Sequence, residues 1–166
     1  MSKPINLAPN NAECERILRT YPVGILAMAH DGGPYAVPMN HAYAHGTLYF
    51  HCALTGRKLD VIGANPATCY VVNGYFGDPR DLSDKTKCHG NWESVIAYGP
   101  SQVVRNREEL RAAFTIFGHH YNPDFQLSGD SLDNTLAIVL KVQSMTARRE
   151  IPGQGVEYWS WTPKGQ

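Results

Sequence analysis

The sequence has no surplus of either charge: 15 Lys+Arg stand against 15 Asp+Glu, for a formal net charge of zero. Without a basic surplus, a broad nucleic-acid footprint is not expected. It also has no apolar run of the length a membrane-spanning helix needs, and its opening residues, MSKPINLAPN, lack the apolar core of a secretion signal. These absences lead to the expectation of a soluble, cytoplasmic protein with no membrane partner. Cysteine is sparse, and Cys14, Cys52, Cys69 and Cys88 show no CxxC spacing. In that compartment they read as reduced thiols rather than disulfides. A zinc site drawn from His41, His45, His51, Cys52, Cys88 and His89 lacks recurrent ligand spacing, so no metal is expected. There is no G-x-G-x-x-G, and Gly56-Arg57-Lys58 lacks both the upstream glycine and the hydroxyl residue of a P-loop. Rossmann dinucleotide binding and NTP hydrolysis thereby lose their main signals. No repeat or linker divides the chain, so residues 1–166 are expected to form one domain.

What is present is short β-type runs with turn punctuation. Asn10 or Asn11 can cap a first helix whose apolar positions Cys14, Ile17 and Leu18 recur at helical spacing, ending at Tyr21-Pro22. Strands are expected over Val23–His30, Tyr35–Ala44 and Thr47–Ala53, joined by turns at Asp31-Gly32-Gly33 and His45-Gly46. A short helix Arg57–Ala64, a strand Thr68–Tyr75 and a polar loop Phe76–Asn91 follow. Then come a strand Trp92–Val104, a helix Arg107–His119 capped by Asn106, a long strand Thr135–Ile151 and an aromatic tail, YWSWTP. Strands and helices do not alternate. The pattern is therefore mainly β, a barrel of about six strands with two or three helices inserted, rather than a doubly wound sheet.

The segment LYFHCALTGRKLDVIGANP, residues 48 to 66, concentrates the chemistry. Thr55 and Gly56 lie at a strand-to-helix junction. The first turn of the helix leaves backbone N–H groups and the positive dipole end for an anion. Arg57 and Lys58 oppose that dipole, and a bound dianion would resolve the conflict. Phosphate suits the pair, Lys58 as a point charge and Arg57 as a fork, although both can also be solvated surface cations. In the preceding strand Tyr49, His51 and Ala53 share one face, Phe50 and Cys52 the other. About five residues of extended chain, at most roughly 17 Å, separate His51 from the phosphate end. Val37-Pro38-Met39-Asn40 carries a proline that interrupts ladder bonding, which marks an edge or a place where something else approaches the backbone. A flat ring system between the two strands, with a terminal phosphate, would fit, and flavin mononucleotide has both.

The pattern GILAM…GPYAVPMNHAY…GTLYFHCALTGRKLDVIGANPATCYVV…WESVIAYG resembles the pyridoxamine 5'-phosphate oxidase-like split barrels, and within them the NimA-like group, named for 5-nitroimidazole resistance proteins. The resemblance spans about residues 10–150, and its most specific part is Phe50-His51-Cys52-Ala53-Leu54-Thr55-Gly56-Arg57-Lys58 followed by Asn65-Pro66. It implies a six-stranded antiparallel split barrel and a homodimer with FMN sites at the subunit interface. By the same resemblance Val37, Pro38, Met39 and Asn40 line the isoalloxazine edge, and Phe50, His51, Cys52 and Ala53 run along the ring and ribityl chain. Gly56 and Lys58 match the phosphate end, and Ser94 a strand position near the flavin or its phosphate.

Three functions are compatible with these residues. The first is an FMN-dependent oxidoreductase for small electron-poor substrates such as nitroimidazoles, with His51 as the catalytic proton carrier near neutral pH. The second is pyridoxamine phosphate oxidation, for which relatives carry arginine and histidine in a C-terminal segment. Here the tail has no cation between Ile151 and Lys164. The third is a flavin or haem sensor without turnover, with His51 or His119-His120 as an axial ligand. Tyr158, Trp159 and Trp161 either pack on the barrel or cross to wall a partner's substrate pocket.

Overall fold

The structure, a computed structural model, describes residues 7–30, 33–77 and 90–163. Its elements in chain order begin with β1 (Ala8–Pro9), α1 (Asn11–Thr20), β2 (Val23–His30), β3 (Gly33–Asn40), β4 (Ala42–Ala44) and β5 (Thr47–Cys52). They continue with α2 (Arg57–Ala64), β6 (Ala67–Tyr75), β7 (Trp92–Val104), α3 (Arg107–Tyr121), a 3-10 turn (Gly129–Leu132), β8 (Leu136–Lys141), β9 (Ser144–Ile151) and β10 (Gly155–Trp161). The turn expected at Asp31-Gly32, most of the loop expected over Phe76–Asn91, Cys88, His89 and Lys164 lie outside the described residues.

The strands form a curled sheet in the order β1-β10-β9-β7-β6-β2-β3, and β8 then links β7 to β5 and β4. All pairings are antiparallel except β1 with β10, which run parallel. This is the half-closed, split-barrel form of a mainly β protein, with three α-helices among the described residues. Ten strand segments among the described residues stand where about six strands were expected. The excess arises because two long runs break at corners, the tail itself forms β10, and β1 had no signal at all.

Each break has a local cause. The run Thr135–Ile151 divides at Val142-Gln143, where the Val142 amide donates to the Gly46 carbonyl (2.9 Å) and the Gln143 amide to the Tyr98 carbonyl (2.8 Å). Opposite this corner β7 changes partner, from β9 over Trp92–Tyr98 to β8 over Ser101–Val104. Gly99 sits at the change, and a Cβ there would lie 1.9 Å from the Lys141 carbonyl oxygen, so only glycine fits. The run Tyr35–Ala44 breaks at His41, with β3 pairing to β2 and β4 to β5. His41 is buried as the neutral Nε2–H tautomer: Nε2 donates to the Leu18 carbonyl (2.8 Å) and Nδ1 accepts from the Tyr70 hydroxyl (2.9 Å). The Tyr70 hydroxyl also lies 2.6 Å from the Met39 carbonyl, so its proton is shared. Burial pushes His41 down to about 4, against the opposing bond to Leu18, which is consistent with the neutral ring.

The core fills the curl with Leu26, Phe50, Tyr70, Val72, Ile138 and Leu140, and α1 adds Cys14, Ile17 and Leu18 as its sequence spacing predicts. Asn10 caps α1 by accepting from the Glu13 amide. Trp159 and Trp161 pack inside the same core, so the aromatic tail is part of its own barrel. α3 lies outside on β4, β5 and β8 over a second cluster that includes Leu110, Ala113 and Phe114, and it runs on to Tyr121, past the expected His119.

One fully buried carboxylate joins α1 to the sheet. Glu93 of β7 accepts from Arg16 at 2.6 and 3.1 Å, from Arg149 at 3.1 and 3.2 Å, and from the Tyr21 hydroxyl at 3.0 Å. Burial alone would raise the Glu93 carboxyl, but Arg16, Tyr21 and Arg149 outweigh it and hold the group below the usual carboxylate range. Its ionised form is thus the folded form. The stability it contributes is present above the unfolded value and lost as pH falls through the lowered one. Replacing Glu93 with Gln is expected to cost about 1–3 kcal/mol at neutral pH, because Arg16 and Arg149 lose one counter-charge but keep Glu13, which accepts from both at 3.0 Å. Urea denaturation of the variant beside the parent measures it, and the gap should narrow as the pH is lowered toward the acid range.

Candidate functional site

β5 alternates as its sequence pattern indicates. Leu48, Phe50 and Cys52 turn into the barrel, and Phe50 meets the Tyr70 ring edge-on at 4.9 Å. His51 turns outward, where its ring meets Phe117 of α3 at 4.9 Å and 82°. Beyond β5 the chain swings through exposed Ala53, Leu54 and Thr55 to Gly56, at φ 140° and ψ 154°. Nothing would crowd a Cβ at Gly56, so it is the backbone angle, not space, that calls for glycine. Gly56 is the N-cap of α2 and offers no side-chain cap; its carbonyl accepts only the Leu59 amide, at 2.9 Å. The amides of Arg57 and Lys58 therefore begin α2 without a capping side chain, which is the geometry an anion exploits. Arg57 lies over the Tyr35 ring at 4.7 Å, a cation–π contact that leaves Lys58 as the cation facing the space between β3 and β5.

That space is a cleft of about 300 Å³ bordered by Val37–Asn40 on β3, by His51, Cys52 and Ala53, and by Lys58. β3 is the end strand of its sheet path, so the position of Pro38 on an edge agrees with its missing N–H. Thr55, Gly56 and Arg57 adjoin the cleft along the chain. Phe50 is in the core, and Cys52 shows only 6% of its surface. Burial pushes the Cys52 thiol up, with Lys58 and Arg105 pulling the other way, so it stays a neutral wall. Ser94 is not brought to the cleft. It pairs with Asn73 on β6 and Arg148 on β9, three strands from β3, about 14 Å at ordinary strand spacing.

A second groove, about 480 Å³, opens on the other side of Asn40 and His51, which border both. Its walls are Phe117 and Tyr121 of α3 and Phe125 and Leu127 of the following loop. The Tyr121 hydroxyl donates to the His41 carbonyl at 2.8 Å, tying α3 to the β3–β4 corner. Burial raises that hydroxyl's pKa, moderated by hydrogen bonds with the Asn40 side chain and the His41 backbone. Sequence reasoning missed this groove. The helical recurrence of Phe114, Phe117 and Tyr121 was its only signal, and it reads equally well as packing.

The result is one cleft that gathers a cation from an uncapped helix start with polar Asn40 and His51, and an aromatic groove that shares those two residues. No helix among the described residues is long and apolar enough to cross a membrane. A comparison with curated proteins finds no match. Among solved structures the chain is similar to a candidate 5-nitroimidazole antibiotic resistance protein from Bacteroides thetaiotaomicron, with 24% identity over 86% of this chain and 85% of that one and a TM-score of 0.72. It is also similar to an FAD-binding protein from Mesorhizobium loti, with 23% identity over 85% and 95% and a TM-score of 0.63. An FAD and heme binding protein from Mycobacterium smegmatis gives 18% identity over 81% and 67% and a TM-score of 0.68. At such identities these likenesses speak to the fold alone. The family model described as pyridoxamine 5'-phosphate oxidase matches residues 10–149, nearly the whole curled sheet, and the chain therefore belongs to the pyridoxamine 5'-phosphate oxidase family.

Proposed function

We propose that the protein is an FMN-binding flavoprotein, a homodimeric oxidoreductase that reduces small electron-poor substrates such as nitroimidazoles. The observation that carries this reading is the lining of one cleft by Lys58, in the first turn of the uncapped α2, together with Asn40 and His51. Gly56, Lys58 and the α2 amides would hold the phosphate, while Val37–Asn40 and His51 would line the ring. FMN, when bound, supplies the electron transfer. The chain's share is to bind and orient it, and His51 is the side chain placed to move a proton at the substrate. Flavin is also the cofactor named for two of the similar structures, those described as FAD-binding.

The homodimer draws support from the outer sheet face. Pro38, Ile25, Val71 and Ile96 align across β3, β2, β6 and β7, flanked by Val23 and Tyr98. Val23 is 48% exposed, Ile25 40% and Tyr98 42%. An apolar row of this kind, at the rim of the cleft through Pro38 and Asn40, suits burial against a second copy. Ser94 stands on that face, so it enters a cofactor site only across such a dimer. The haem reading has less to stand on, since His119 is held by the Phe125 carbonyl (3.2 Å) and the His120 ring packs edge-on against Tyr121 at 4.8 Å.

Three measurements test this. Native mass spectrometry is expected to show a dimer that releases FMN; a monomer with cofactor bound, or release of haem, overturns the corresponding half of the reading. Lys58→Ala should weaken FMN by roughly ten- to a hundredfold, the size of a lost charge-assisted bond, and riboflavin much less. Equal losses for the two ligands in fluorescence titrations would move the phosphate elsewhere. His51→Phe keeps a flat ring and removes the proton. With FMN still bound, reoxidation of the reduced protein by a nitroimidazole should slow and lose its pH dependence. An unchanged rate and profile would leave His51 as scaffolding.

A further inference from the structure

We propose that the groove between β5 and the C-terminal half of α3 is a binding site for an uncharged, flat aromatic molecule of about two fused rings. This widens the acceptor class of the flavoprotein proposed above from single-ring nitroimidazoles to fused aromatics, and rests on that reading for its purpose, though not for binding itself. The size agrees: about 480 Å³ lies in the range of small-molecule pockets and exceeds what a single small ring occupies.

The chemistry of the walls selects the class. None of the residues lining the groove is Asp, Glu, Lys or Arg, so a charged occupant would enter without a counter-charge. The polar groups are neutral amides and hydroxyls, with His51 at the rim shared with the first cleft. The cation Lys58 borders the first cleft and does not line the groove. A phosphorylated substrate therefore has its charge partner in the wrong place. The aromatic walls offer ring faces and edges: Phe117 and Tyr121 lie 5.1 Å apart at 41°, and Phe117 meets His51 at 82°.

The groove is also held in shape before anything binds. Tyr121 is 44% exposed, large and aromatic, yet its hydroxyl is fixed on the His41 carbonyl, so the ring is presented rather than folded away. Gly118 lets the following loop close down, since a Cβ there would lie 2.0 Å from the Phe125 ring. An occupant would reach Asn40 and His51, and through them the end of the first cleft.

The test is calorimetric titration with menadione, an uncharged naphthoquinone, and with 1,4-naphthoquinone-2-sulfonate, its charged analogue, on FMN-loaded and FMN-free protein. Menadione is expected to bind both forms, and the sulfonate at least about tenfold more weakly. Phe117→Ala should weaken menadione about tenfold, the loss of one aromatic wall. Ser131→Trp, on the 3-10 turn that helps line the groove, fills it from outside the α3 sequence; it should weaken menadione at least as much and leave FMN affinity unchanged. Thermal melts establish that each variant folds. Equal binding of the sulfonate, no effect of either variant, or displacement of menadione by FMN overturns the proposal, the last because the flavin would then occupy the groove. Failure of FMN to bind while menadione still does overturns the flavoprotein reading and leaves the groove standing.

Discussion

The curl of this sheet depends on one close approach of backbone to backbone. β7 can exchange β9 for β8 along one edge only because Gly99 lets it pass against the Lys141 carbonyl at the β8–β9 corner. The corner is sealed by amide bonds from Val142 to Gly46 and from Gln143 to Tyr98. Through that turn β8 comes to lie beside β5, and α3 finds the β5–β8 surface on which it packs. A straight β7 would leave β5 with only the three-residue β4 as a neighbour, too little to hold His51 in a defined place.

Polar groups inside the barrel act at the two places where elements must be tied without continuous pairing. Glu93 gathers Arg16, Arg149 and Tyr21, so α1 is clamped to the sheet by a carboxylate whose bonding sites are occupied. His41 gathers Leu18 and Tyr70, and Tyr70 reaches Met39, so the β3–β4 corner is fixed from beneath. Both are buried and satisfied, which makes them specific rather than merely adhesive. The second clamp matters more for the site, because Met39 and Asn40 border the cleft directly above it.

Chemistry is divided between two spaces that meet at Asn40 and His51. One is lined by Lys58 in the first turn of the uncapped α2; the other is aromatic and bears no Asp, Glu, Lys or Arg. Such a division would keep a charged ligand group and an apolar ligand group from exchanging places, since each would meet unpaired or unsolvated surroundings in the wrong space.

Local rules were sufficient for much of this. The cap at Asn106, the alternation of Phe50 and Cys52 against His51 and the turn at Gly56 follow from backbone sterics and side-chain periodicity within a few residues, while the choice of Asn10 over Asn11 and of an edge at Pro38 is not decided at that range. These also placed Val37–Asn40, His51 and Lys58 in one candidate site, and the structure gathers them around one cleft. The breaks at His41 and Val142-Gln143 were not legible, because each is set by a partner far along the chain: Leu18 and Tyr70 for one, Gly46 and Tyr98 for the other. The inward packing of Trp159 and Trp161 was undecided for the same reason. Ser94 shows the limit from the other side: its position along β7 is plain from sequence, but its distance from β3 depends on strand order. The sequence by itself determined the strand faces, the helix starts at Arg57 and Arg107 and the strand-to-helix junction at Gly56-Lys58, since these depend on neighbours in the chain. Only the tertiary structure decided that α3 would stand over His51 and open an aromatic groove beside it, because a helix's packing site is chosen by the sheet corner it meets.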